Sequence, residues 1–135
     1  MGIYLFMLAA LAPAIAAQAR PAAPATGTVR YVTDGDTFRL TSGERIRMAG
    51  VDAPETRPKQ ARCAAERRLG EAAKAWLTNR IEGRSLRFER VGRSYARTVA
   101  TVSFEGQDLA AMLVAGGHAA WWPRGRVKPD WCRSR

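Results

Sequence analysis

One hundred and thirty-five residues are enough for one domain with a single core and too few for two. Twenty-two Lys and Arg against twelve Asp and Glu leave a formal charge of +10, which draws in polyanions, whether nucleic acid or an anionic lipid surface. Two cysteines without CxxC spacing and a single histidine argue against a zinc site, and no stretch approaches the roughly 20 apolar residues of a membrane span.

Near its start the chain carries a fifteen-residue stretch without a charge, Ile3 to Ala17, with small residues suited to cleavage after Ala16 or Ala19. Residues 1–19 therefore read as a secretory signal peptide. Because no Lys or Arg precedes the apolar run, an uncleaved membrane tether is the alternative. Residues 20–26, with Pro21 and Pro24 among alanines, form a short stiff linker, and the folded domain is expected over 27–135. Export would place the protein in the periplasm or outside the cell, where Cys63 and Cys132 invite a disulfide.

Thr28 to Thr33 alternates, with Val29 and Tyr31 on one side, and Asp34-Gly35 signals a hairpin. Thr37 to Thr41 and Arg45 to Val51 give two more strands, the second placing Ile46 and Met48 on one face and Arg45 and Arg47 on the other. Pro54 and Pro58 bound a polar loop. Cys63 to Arg80 reads as a helix whose apolar stripe is Leu69, Ala72, Ala73, Trp76 and Leu77. Ser85 to Val91 is a fourth strand, Gly92 to Ala96 a turn, and Arg97 to Phe104 a fifth strand rich in Val and Thr. Gln107 to Ala115 is a second helix with a Gly116-Gly117 stop. The fold class expected is α+β, mainly β: a five-stranded OB-fold barrel with two helices and a short C-terminal tail, or failing that a small sandwich.

The chemistry is concentrated between Asp34 and Glu55, where Asp34, Asp36, Asp52 and Glu55 accompany Arg47. Hard oxygen donors beside a cation describe a site for a divalent ion and a phosphate. Asp34 serves the turn, where Asp is favoured on its own account. His118 reads as a packing residue, and the tail tryptophans Trp121, Trp122 and Trp131 as the closure of a barrel end, with base stacking the alternative.

Asp34-Gly35-Asp36-Thr37, then Ile46-Arg47, then Val51-Asp52-Ala53-Pro54-Glu55, then Tyr95-Ala96-Arg97 resemble the staphylococcal nuclease (thermonuclease-like) family from about Gly27 to Trp122. The resemblance implies a Ca²⁺ ion on the carboxylates of Asp36 and Asp52 and the backbone carbonyl of Ala53. It implies that Arg47 and Arg97 stabilise the reacting phosphate, that Glu55 activates or positions the attacking water, and that Tyr95 contacts substrate phosphate. A calcium-dependent endonuclease on DNA and RNA, yielding 3′-phosphates, follows. It would work as a monomer without a protein partner, and meet a membrane only through an uncleaved leader. The rival is a non-catalytic nucleic-acid-binding OB-fold module of the cell envelope, in which losses among these acids and arginines would be expected. The sequence departs from the family at Ala53, commonly Thr, and at Arg93-Ser94-Tyr95-Ala96-Arg97, where a basic residue and a glycine are usual. Loss of that glycine predicts strain in a turn that needs positive φ. The tail is also too short, and too rich in Pro and Gly, for the family's third helix; a Cys63–Cys132 bridge would tie it to the first helix.

Overall fold

Alternating Val, Thr, Ile and Arg residues suit a pleated surface buried on one side, and they make the five longer strands of the protein. In the computed structural model, which describes residues 23–133, these are β1 (Ala25–Asp34), β2 (Thr37–Leu40), β3 (Arg45–Met48), β5 (Ser85–Ser94) and β6 (Arg97–Phe104). Short pieces β4 (Val51–Asp52), β7 (Gln107–Asp108) and β8 (Ala120–Trp121), with helices α1 (Ala64–Ile81) and α2 (Leu109–Ala115), complete the chain. The leader at 1–19 and the linker as far as Ala22 lie outside the described residues. Ala25 and Thr26, expected as linker, belong to β1 and pair with Phe88 and Arg87.

The sheet order β3-β2-β1-β5-β6 is closed by a parallel pairing of β3 with β6, Ile46 opposite Thr98 and Met48 opposite Ala100. This is a closed five-stranded barrel with two helices, the OB-type α+β architecture. Closure gives each of the five strands a neighbour on both sides over part of its length, where an open sheet would leave two edges. Phe38, Ile46, Met48, Leu86, Leu77, Ile81, Leu109 and Leu113 fill its interior and the seams to the helices. No helix among the described residues is long and apolar enough to cross a membrane.

Several local expectations change. A register shift in β1 between Val29 and Tyr31 breaks strict alternation, so Val29 and Val32 both face inward and Tyr31 faces solvent. The third strand stops at Met48; Gly50, at φ +74°, turns the chain, and Val51-Asp52 pairs with Trp121-Ala120 instead. The fourth strand runs on to Ser94, leaving a two-residue turn, Tyr95-Ala96. In α1 the inward face is Glu66, Gly70, Ala73, Leu77 and Ile81, so Leu69 is exposed rather than core. The apolar stripe suggested by Leu69 and Ala72 is displaced round the helix because the packing face needs small residues against the 53–55 loop. Cys63 is the N-cap of α1, its sulfur accepting from the Glu66 amide, and Asp108 caps α2 through the Ala110 and Ala111 amides. Trp76 packs against the core, with the Arg80 guanidinium 4.4 Å from its ring and His118 5.3 Å away on the other contact.

Candidate active site

The β1–β2 turn, the β3–β4 segment with the loop after it, the β5–β6 turn and the tail meet around one cavity of about 630 Å³. Asp34, Asp36, Arg47, Asp52, Glu55, Tyr95 and Arg97 all line it. Ala53 sits beneath, buried, with its N–H on Asp36.

Asp36 is held by its own neighbourhood. Thr37 Oγ1 donates to Oδ1 at 2.8 Å and the Ala53 amide donates to Oδ2 at 3.0 Å. The Asp36 amide donates to Asp34 Oδ1 at 3.2 Å, the turn role expected of Asp34. Gly35 permits this turn to sit against the helix, since a Cβ there would come within 2.8 Å of the Cβ atoms of Ala53 and Ala73. Burial, then the charge of Asp36, pushes the Asp34 carboxyl up to about 7.

Arg47 alternates out of the barrel interior, as its place between Ile46 and Met48 requires. Its Nη1 donates to the carbonyls of Met48 and Val51, both at 3.0 Å, which fixes the fork. Its Nη2 lies 3.5 Å from Asp36 Oδ2 and 3.8 Å from Asp52 Oδ1. Trp122 stands 5.8 Å from the guanidinium carbon, a weak cation–π contact.

Asp52, at 2% exposure, is held from far along the chain. Trp131 Nε1–H donates to Oδ2 at 2.9 Å, and Lys128 Nζ lies 3.8 Å from Oδ1. Burial raises the Asp52 carboxyl above the ordinary range; the Trp131 hydrogen bond and the charges of Lys128 and Arg47 work against that rise.

Glu55 is half-buried, with Oε1 3.3 Å from Lys128 Nζ. Its backbone is fixed by buried Glu66, which accepts the Glu55 amide at 3.3 Å and the Arg62 amide at 2.7 Å. Gly70 lets α1 approach this loop: a Cβ there would meet the Glu55 and Pro54 carbonyl oxygens at 2.6 and 2.7 Å. Arg97 begins β6 at the cavity wall and, among the described residues, makes no ion pair. Tyr95 projects at the mouth, 96% exposed, and it is Tyr95 rather than Ala96 that takes the positive φ, +55°. The strain expected from the missing glycine thus falls one residue earlier, and costs of order 1–2 kcal/mol.

Glu66, Lys128 and Trp131 are parts of the site that the sequence reading does not find. Cys63-x-x-Glu66 has the spacing of an N-cap followed by an acid at the third helical position, which was a usable signal. For Lys128 and Trp131 the clue is indirect: Cys132 is bonded to Cys63, with Cα atoms 6.0 Å apart, so the tail must return to the start of α1.

Two carboxylate oxygens approach one guanidinium nitrogen, and both are hard donors of the type that Ca²⁺ takes. Among the described residues no group of three or more His, Cys, Asp or Glu side chains is arranged for a metal. A divalent ion here would rest on Asp36 and Asp52, completed by backbone carbonyl and water. The residues fit such an ion.

The staphylococcal nuclease homologue family matches this chain over residues 45–129, a span that contains Arg47, Asp52, Glu55 and Arg97 and leaves out Asp36. A probable endonuclease, LCL3, of Arthroderma otae is 40% identical over 128 aligned positions, covering 69% of this chain. The chain spans 43% of the length of that relative.

Proposed function

The chain belongs to the family of staphylococcal nuclease homologues, and from that premise we propose that it is a calcium-dependent endonuclease hydrolysing DNA and RNA with little sequence preference. The observation that carries the proposal is the convergence of Asp36 Oδ2 and Asp52 Oδ1 on Arg47 Nη2 in a cavity that Glu55 and Arg97 also line. The formal charge of +10 supplies the attraction for a polyanion.

Asp36, Asp52 and the Ala53 carbonyl would hold the ion, which when bound would supply Lewis-acid polarisation of a phosphate oxygen. Arg47 and Arg97 take the charge that develops on the non-bridging oxygens as phosphorus becomes five-coordinate. Arg47 is pre-positioned by its two backbone carbonyl contacts, so it needs little reorganisation when charge develops. Glu55, fixed through Glu66, orients the attacking water and accepts its proton as the new P–O bond forms. The 5′ P–O bond breaks, the leaving oxygen takes a proton from solvent, and a 3′-phosphate remains. Tyr95, at the mouth, reaches substrate phosphate.

The protein acts as a monomer after export to the periplasm or beyond. The uncharged run Ile3 to Ala17 and a disulfide, which suits an oxidising compartment, support export.

Digestion of single-stranded DNA by purified protein tests the reading. Cleavage in calcium that stops with excess chelator, and falls by about 10²-fold in Glu55→Gln, is expected. Binding without cleavage in calcium would instead identify a nucleic-acid-binding module, and equal cleavage in chelator would remove the metal from the mechanism.

A further inference from the structure

Residues 123–133 run without regular secondary structure back across the cavity, and the mechanism above uses none of them. Yet two of their side chains reach the acids: Lys128 lies between Asp52 and Glu55, and Trp131 is buried with its indole N–H on Asp52 Oδ2. We propose that Trp131 is a positioning residue for the cation site, fixing the Asp52 carboxylate so that Oδ1 faces the cavity, and that the Cys63–Cys132 disulfide holds Trp131 there.

The terminal torsion of a carboxylate is broad and roughly two-fold, so what claims one oxygen decides where the other faces. Here Oδ2 is claimed by the indole at 2.9 Å, and Oδ1 is the oxygen nearest both Arg47 Nη2 and Lys128 Nζ. Partners of this kind, outside the ligands themselves, fix ligand orientation, and their loss costs about 10- to 100-fold in metal affinity. Cys132 is the next residue after Trp131, and its bond to the N-cap of α1 anchors the indole to the helix that also positions Glu55 through Glu66. A purely structural role is the competing account: a buried carboxylate needs a donor whatever it does. That account predicts lost stability and unchanged cation affinity.

The inference rests on the calcium reading of Asp36 and Asp52, so the experiment separates the two. Calcium binding to the oxidised protein, without nucleic acid, is measured by calorimetry for the wild type, Asp36→Asn and Trp131→Phe, with circular dichroism as the check on folding. Wild-type binding lost in Asp36→Asn and weakened about 10- to 100-fold in folded Trp131→Phe supports the inference. Trp131→Phe binding within twofold of wild type overturns it and leaves the calcium reading standing. No binding by the wild type overturns both. Should Trp131→Phe fail to fold, the Cys63→Ser with Cys132→Ser variant takes its place in the same titration. Calcium binding weakened about 10-fold or more in that folded variant supports the inference, and binding within twofold of wild type overturns it.

Discussion

Asp36 and Asp52 point at the same guanidinium nitrogen but are held in opposite ways. Asp36 takes its hydrogen bonds from Thr37, the first residue of β2, and from Ala53, directly after β4. Asp52 takes its hydrogen bond from Trp131, 79 residues on, and has Lys128 beside it. One half of the site is therefore as secure as the barrel that makes it. The other half depends on a tail with no helix or strand of its own, secured by a covalent tie. A carboxylate pair that looks symmetric in sequence is asymmetric in what it needs to stay in place.

Arg47 touches both halves, so its loss gives the largest effect. Arg47→Ala should lower the cleavage rate by about 10²-fold or more while single-stranded DNA binding stays measurable. A loss below tenfold would mean that the two acids are not organised around it. Next is the tie itself. Cys63→Ser with Cys132→Ser should cost about 2–4 kcal/mol in urea unfolding. It should also loosen the Asp52 half alone: hydrogen exchange should quicken at the tail and not at the Ala53 amide. Equal quickening at both would erase the contrast.

Gly70→Ala tests the support that α1 gives to the loop of Glu55. Its Cβ would press on two carbonyl oxygens, so a loss of about 1–3 kcal/mol is expected, with turnover reduced more than substrate affinity. Glu44→Gln, on the barrel side, should do least. The Glu44 carboxyl is held below its ordinary value chiefly by hydrogen bonds from Arg90, with Thr98 adding to them. A depressed acid contributes stability above its unfolded value, and that contribution disappears as pH falls through its folded one. Wild type and variant should therefore differ by under about 1 kcal/mol at pH 7, because the pair is partly exposed, and converge in acid.

Much of the barrel half was legible. The alternation of Ile46, Arg47 and Met48 placed Arg47 outside the core, and Asp34-Gly35 announced its turn. Where alternation failed, a local backbone event overrode it. The bulge after Val29 returned Val32 to the core, and Gly50 split the third strand. Leu69 was misplaced because apolarity marks a helix face only when the partner surface has room for large side chains. This one has two carbonyls against Gly70 and admits large side chains only further along, at Leu77 and Ile81. The tail half was hardly legible at all. Trp131 and Lys128 lie far from Asp52 in sequence, and no periodicity connects them. Only the disulfide, expected from compartment alone, hinted at the return.

The parallel pairing that closes the barrel has a further consequence. It sets Arg47 beside Val99, and Arg97 lies two residues earlier on the same face of β6. With a rise of about 3.3 Å per residue and strands about 4.8 Å apart, the two arginines stand roughly 8 Å apart at their Cα atoms. The seam of the barrel is thus a ruler for the proposed phosphate site. An insertion in the Tyr95-Ala96 turn leaves that spacing untouched, whereas a one-residue slip at the seam would turn Arg47 inward. The unusual turn sets how Tyr95 projects at the cavity mouth, and the interval between the two cations is kept by a joint that the turn does not touch.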